Sequence, residues 1–328
     1  MFENTQELRA SLHGLGVSVW TVAALAALFE SGLVEQLTEP RSLEQLAPLC
    51  AGLSRSQLER CLDVAAAAGV LEREAGSYRL CAAALPLTRQ PWRTGLIGEL
   101  RTNLLQALAL VDAAQGAAPR HGWRHTDPAV LQAQGDASAQ LAAALKGMIV
   151  PQLADLGARL ERAGARFLDV GVGVASLALA MCREYPTLQI VGLDAYEPAL
   201  ALARDNVARA GLGARIELRH CPVQELRDER AFELAWLPSF FIPPAELGAG
   251  LARVKAALRP GGWLVFAATG THTGSTEATR ALITELWGGA ALGNEPARAL
   301  LERAGFRDVR VLPGPPWAPT TLAAQVSD

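Results

Sequence analysis

FLDVGVGVASLALAM, residues 167–181, reads as an apolar strand that ends in Asp169, a tight turn carrying Gly171 and Gly173, and a helix starting near Ala175. Glycine suits such a turn because the backbone must reverse sharply and let a ligand approach without a Cβ in the way. Several kinds of nucleotide fold use a GxG turn. Two details narrow it. An acid directly before the loop is awkward beside a pyrophosphate but suits a ligand bearing an ammonium group. No GxxxxGK accompanies it, so no phosphate-clamping lysine is present.

Downstream of this loop the chain alternates strands with helices, the pattern of a parallel α/β sheet. The strands expected are RFLDV, QIVGL, RIEL, FELAWL, WLVFAA, RDVRVL and TTLAAQV. In IVGLDAYEPAL, Asp194 stands at the tip of the second strand, followed by Ala195. An acid there can accept both hydroxyls of a ribose; the plainer reading is a cap on the next helix. In RIELRHCPVQEL, Cys221, Pro222 and Val223 follow the third strand, where an adenine ring can rest. LRPGGWLVF, from Leu258 to Phe266, breaks a helix at Pro260 and turns it through Gly261 and Gly262 into a buried strand, a structural motif without chemistry.

The first half has a different texture. Val17 to Leu33, VSVWTVAALAALFESGL, is apolar on nearly all sides and needs burial on several faces. That is more than a small domain's own core requires, so a partner subunit is one explanation. Ser42 and Ser54 each open a helix, with Gln45 and Gln57 completing capping boxes, and Gly69 marks a stop. VLEREAGSYRL then reads as a hairpin turning at Ala75-Gly76. Helix, helix, hairpin is the plan of a winged helix. Residues 86–165 read as mostly helical, with turn formers at 115–127 and 134–136 and a last helix from about Ser138 to Ala163.

Residues 166–328 resemble a class I S-adenosylmethionine-dependent methyltransferase: the acid-GxG loop, the acid after the second strand and the RPGG turn fall in that family's order and spacing. Residues 1–165 resemble the winged-helix dimerisation and linker region of the O-methyltransferases of plant and bacterial secondary metabolism. The resemblance implies an α/β fold, a Rossmann-like sheet at 166–328 that binds S-adenosyl-L-methionine, a winged-helix dimerisation domain at 1–85 and a helical linker at 86–165 that contributes to the substrate pocket. Carried over by motif, Asp169, Gly171 and Gly173 would line the methionine end, Asp194 the ribose, Cys221 to Val223 the adenine, and Leu237 and Pro238 the far side of the cofactor, with Ala195 also in the cofactor site. Three departures stand out. Ala175 replaces the loop's third glycine. Cys221 replaces the usual acid near the adenine amine, which leaves that hydrogen bond to the backbone or Gln224. Phe241-Ile242 in LPSFFIPPAEL occupies the place of the catalytic His-Asp pair of many relatives.

Methyl transfer is an in-line displacement at a sulfonium carbon, so alignment at close range can supply much of the rate. Trp123, Met148, Phe240, Phe241, His272 and Trp287 are the expected substrate-pocket residues; each of the large apolar ones is more often plain core. His121, His125 and His272 are the candidates for a relocated base, with surface or capping roles as the plainer alternative. No histidines or cysteines have metal-ligand spacing, so no metal is expected. The formal net charge is -3 and half the residues are hydrophobic, which suits a globular enzyme rather than a nucleic-acid binder. The helix opened by Ser54 carries mixed charge, which argues against a DNA-binding regulator. Loss of the usual base keeps open a relative that binds the cofactor for decarboxylation, hydroxylation or cyclisation. The opening MFENTQELRASLHG lacks the features of a signal peptide, and the apolar run Val17–Phe29 is too short to span a bilayer; a cytoplasmic homodimer that acts on a small secondary metabolite, at an O, N or C nucleophile, without nucleic acid or membrane, is the expectation.

Overall fold

The computed structural model describes residues 4–114, 116, 122–271, 273–314 and 318–327. The chain divides into two compact units, Met1–Ala114 and Gln115–Asp328.

The first unit opens with helix α1 (Thr5–Glu30), capped by the Asn4 side chain. A two-residue strand β1 (Arg41–Ser42) leads into α2 (Leu43–Leu46), and α3 (Arg55–Ala67) follows. Both expected capping boxes form, Ser42 with Gln45 and Ser54 with Gln57. Strands β2 (Leu71–Glu74) and β3 (Ser77–Leu80) make the hairpin. Ala75 and Gly76 both take positive φ, 48° and 81°, as a tight turn matched to strand twist demands. β1 adds to the far side of β3, and α4 (Trp92–Ala113) completes the unit. Its core gathers Leu28, Leu33, Leu37, Leu58, Leu62, Tyr78 and Leu80.

Only the end of α1 joins that core. Leu12, Leu15, Val17, Val19 and Trp20 are exposed, Trp20 at 77%. The helix runs well beyond the apolar stretch seen in the sequence, and by length and composition it is long and apolar enough to cross a membrane.

The second unit begins with α5 (Pro128–Asp136), which runs through the turn-forming residues 134–136. The single helix expected from Ser138 to Ala163 does not form. In its place stand α6 (Leu141–Ala144), a wide turn at Leu145–Ile149, a tight turn at Val150–Gln152 and α7 (Leu156–Leu160). Pro151 explains the break, since it has no N–H to donate and its ring clashes with the preceding turn. Residues 86–165, expected as one linker, thus contribute α4 to the first unit and α5 to α7 to the second.

The sheet follows as β4 (Arg166–Val170), α8 (Ser176–Glu184), β5 (Gln189–Asp194), α9 (Glu197–Arg209), β6 (Ile216–His220), β7 (Phe232–Pro238), α10 (Pro244–Ala257), β8 (Leu258–Ala268), α11 (Gly274–Trp287), α12 (Asn294–Arg303), β9 (Arg307–Leu312) and β10 (Thr320–Gln325). All seven expected strands are present. Their order is β6-β5-β4-β7-β8-β10-β9. β4 to β8 run parallel, and β10 lies antiparallel between β8 and β9. The strands are apolar on both faces because helices cover both. One face packs around Phe167, Met181, Ile190 and Trp263, the other around Leu168, Leu193, Leu237, Leu251 and Phe266. The chain crosses from one side of β4 to the other between β6 and β7. That reversal of strand order opens a crevice at the carboxyl ends of β4 and β7, the place where open α/β sheets bind ligands.

Candidate active site

β4 is the central strand of the crevice, and its register sets Asp169 between Gly192 of β5 and Trp236 of β7. Asp169 is 1% exposed, and its Oδ2 has no hydrogen-bond partner among the described residues. Burial, reinforced by the charge of Asp194, pushes its pKa up to about 8. At neutral pH this carboxyl holds a proton unless a cation comes to rest beside it.

Beyond Asp169 the chain turns through Gly171 (φ 71°) and Gly173 (φ 55°), as the sequence required. Ala175, at φ 69°, takes the left-handed conformation without being glycine and caps α8. The loop is held from two sides. Asp194 accepts the Gly173 N–H through Oδ2 and the Tyr196 N–H through Oδ1, both at 2.8 Å. It thus caps the approach to α9 and ties the tip of β5 to the loop. Burial raises its pKa while these two N–H groups oppose the rise. Ala195, next along, is exposed, and its carbonyl lies 3.1 Å from the His220 ring nitrogen Nε2.

The second hold on the loop comes from α5. Ser176 and Gln132 donate to Asp136 Oδ1 at 2.7 and 2.9 Å. Asn206 of α9 donates to Gln132 at 3.0 Å and to the Val174 carbonyl at 2.9 Å. A Cβ on Gly135 would lie 2.2 Å from Val174 Cγ2, so the glycine lets α5 press directly on the loop. These residues escaped the sequence reading, in which Gly135 looked like a turn former. Its helix-compatible flanks and the proline at position 128 were the available signal.

The residues expected around an adenine sit at the end of β6. Cys221 donates its N–H to the Asp194 carbonyl at 2.9 Å, which keeps the two strand tips together. Pro222 and Val223 follow, with Val223 buried against α10. Gln224 donates to Glu246 at 3.0 Å, and its Oε1 is buried without a partner among the described residues. An unmet acceptor there fits an exocyclic amine. Leu237 and Pro238 end β7 fully buried. Pro238 Cγ lies 3.8 Å from where a Gly171 Cβ would be, so it closes the loop's opposite side. Asp169 and Gln224 thus each hold a buried oxygen with no partner among the described residues, and Asp194 ties the loop to the tip of β5.

Past Pro238, four of the expected substrate-pocket residues come together. Phe241 stacks on Trp287 with centroids 4.5 Å apart and touches Trp123 edge-on at 5.6 Å. Phe240 contacts both Phe241 and Trp287. Trp123 in turn meets the His125 ring at 4.8 Å, and the His125 carbonyl accepts the Tyr196 hydroxyl at 3.1 Å. The Gly288–Gly289 turn brings α11 in so closely that a Cβ on Gly289 would fall 2.0 Å from the Phe240 carbonyl carbon. Met148 is 47% exposed and belongs to none of these ring contacts. His121 and His272 lie outside the described residues. Among the described residues no group of histidines, cysteines and carboxylates could hold a metal ion.

Residues 167–262 match the family model of a methyltransferase domain. A malonyl-[acyl-carrier protein] O-methyltransferase of Geobacter sulfurreducens is 32% identical over 157 residues, 45% of this chain and 57% of its own length. A release factor glutamine methyltransferase of the same organism is 35% identical over 85 residues, 26% of this chain and 29% of its own. The chain spans just over half of the first relative and under a third of the second. Solved structures align along almost the whole chain. The S-adenosylmethionine-dependent methyltransferase SibL superposes with a TM-score of 0.64 at 21% identity, covering 97% of this chain and 99% of its own. Human N-acetylserotonin methyltransferase, in complex with SAM, gives 0.63 at 17% identity over 100% of both. The likeness extends to the helical first unit as well as the sheet, and the methyltransferase resemblance read from the sequence is borne out in domain and fold.

Proposed function

We propose that the chain is an S-adenosylmethionine-dependent methyltransferase acting on a small molecule, and that it works mainly by alignment. One observation carries the cofactor: the buried carboxyl of Asp169, with an unpartnered oxygen, sits directly before the glycine loop. S-adenosylmethionine brings an ammonium to such a carboxyl and supplies an electrophilic methyl on a sulfonium. Gly171 and Gly173 leave room for it, Asp194 accepts from its ribose, and Cys221 to Gln224 hold the adenine.

The place of the usual general base is filled by Phe241, whose ring is stacked on Trp287. A phenyl group removes no proton. The acceptor is therefore one with an acidic hydroxyl, a free amine or an electron-rich carbon, presented by Trp123, Phe240, Phe241 and Trp287. Alignment is the rate device that remains. Single alanine variants of His121, His125 and His272 test this. With alignment alone kcat/KM stays within about tenfold, since a positioned base contributes roughly 10²–10⁴. A larger loss in one variant, with cofactor binding intact, identifies a relocated base. Mass spectrometry of acceptors incubated with labelled cofactor separates methyl transfer from decarboxylation, hydroxylation or cyclisation on the same scaffold.

The exposed apolar face of α1, with Leu12, Leu15, Val19 and Trp20, supports a homodimer through the first unit. Light scattering that gives a monomer at micromolar concentration would exclude it.

A further inference from the structure

At the opposite edge of the sheet, below the amino ends of β4, β7 and β8, lies a second cavity of about 490 Å³, lined by Arg159, Arg162, Arg230, Glu233 and Arg259 among others. We propose that this cavity binds a multiply charged oxyanion of the diphosphate type. The inference stands independently of the methyl-transfer reading.

The charge count comes first. Four arginines against one glutamate leave three positive charges in excess, in a chain whose formal net charge is -3. Two of the guanidinium groups are held in place. Arg159 donates through Nη1 to the Gly261 carbonyl at 2.7 Å. Arg259 Nη1 lies 2.9 Å from Glu233 Oε1, and the other oxygen of that buried carboxylate accepts the Arg166 N–H at 2.6 Å. Glu233 is thus occupied by partners of its own and is not free to neutralise the remaining arginines. Those two, Arg162 and Arg230, are exposed, and their guanidinium groups make no hydrogen bond or ion pair among the described residues. Two fixed and two free forks around one cavity suit a ligand with oxygens on more than one centre, since each fork can take a pair of them.

Arg230 adds a second kind of observation. It holds a left-handed backbone, φ 46°, a conformation that disfavours any residue with a Cβ. Glycine would suit the turn better, yet an arginine stands there and lines the cavity.

The test is calorimetric titration of the whole protein with inorganic pyrophosphate at low ionic strength, with sodium chloride of equal ionic strength as the control. Saturable binding with one site per chain is expected. It should weaken at least tenfold in the double variant Arg162→Gln/Arg230→Gln and stay unchanged when S-adenosylhomocysteine is added. Arg230→Gly serves as the second variant: it removes the side chain and relieves the backbone, so weaker pyrophosphate binding at an unlowered melting temperature excludes misfolding as the cause. Absence of saturable binding, wild-type binding by the double variant, or displacement by S-adenosylhomocysteine would overturn the proposal.

Discussion

At the tips of β4 and β5 polar groups hold one another through hydrogen bonds, whereas beyond the tip of β7 aromatic rings hold one another by contact. In the first region Asp194 and Asp136 each accept two hydrogen bonds, and the loop between them is fixed before any ligand arrives. In the second, Trp123, Phe240, Phe241 and Trp287 form a chain of ring contacts with no salt bridge among them. Directional bonds tolerate one ligand geometry and suit an invariant cofactor. Ring contacts are adaptable and suit an acceptor that differs from one enzyme to the next. The two regions should therefore fail in different ways.

The largest effect is expected from Asp194→Ala. It removes the acceptor of the Gly173 N–H together with the acceptor proposed for the ribose, and calorimetry should show S-adenosylhomocysteine bound more weakly by roughly 1–3 kcal/mol. Wild-type affinity would end the ribose assignment. Gly289→Ala strikes the other region. Its Cβ would fall 2.0 Å from the Phe240 backbone, so the rings must separate. A stability loss of roughly 1–3 kcal/mol in urea unfolding is expected, with affinity for S-adenosylhomocysteine within a few-fold of wild type. Equal loss of both would show that the two regions are one mechanical unit.

A pH series sharpens the contrast further. Asp169 is protonated when folded below about pH 8 but ionised when unfolded above about pH 4. Between these values the folded chain binds one more proton than the unfolded chain, so this group's contribution makes stability fall as pH rises. Binding of a cation beside it runs the other way: the proton must leave. Cofactor affinity should rise with pH by up to about tenfold per unit and level off above about pH 8. Asp169→Asn should flatten that slope. An unchanged slope in the variant would remove Asp169 from the cofactor. The smallest effect is expected at Ala175→Gly. Relief of a left-handed alanine is worth roughly 1–2 kcal/mol, offset by about 0.8 kcal/mol for a lost buried methyl. Urea unfolding should show a net gain under about 1 kcal/mol.

The polar region was legible in the sequence because its chemistry lies in short local patterns. An acid, two glycines and a helix within 15 residues can make few other turns, and the apolar strands flanking them gave all seven members of the sheet. The aromatic region was legible only as residue types. Trp123 precedes Phe241 by more than a hundred positions, and nothing local says that the glycine turn after Trp287 would bring them into contact. Met148 had the same credentials as the others and proved to stand apart. The grip of α5 was missed for a different reason. Gly135 was weighed as a turn former when its role is to let two backbones approach, and sequence does not distinguish those uses of glycine. The break at Pro151 was readable from proline chemistry, which the expectation of one helix from Ser138 to Ala163 left out.

The insertion of β10 between β8 and β9 has a consequence for how the domain is made. Gln325 pairs with Trp263 on one side and with Arg307 on the other, so the two strands on either side of β10 cannot be joined to each other until residues 320–325 have left the ribosome. Until then β8, which carries the buried Trp263 and Phe266, presents a bare edge to the cell. That edge, rather than the glycine loop, sets how long the nascent chain needs protection from aggregation, and the need ends when β10 docks between its two neighbours.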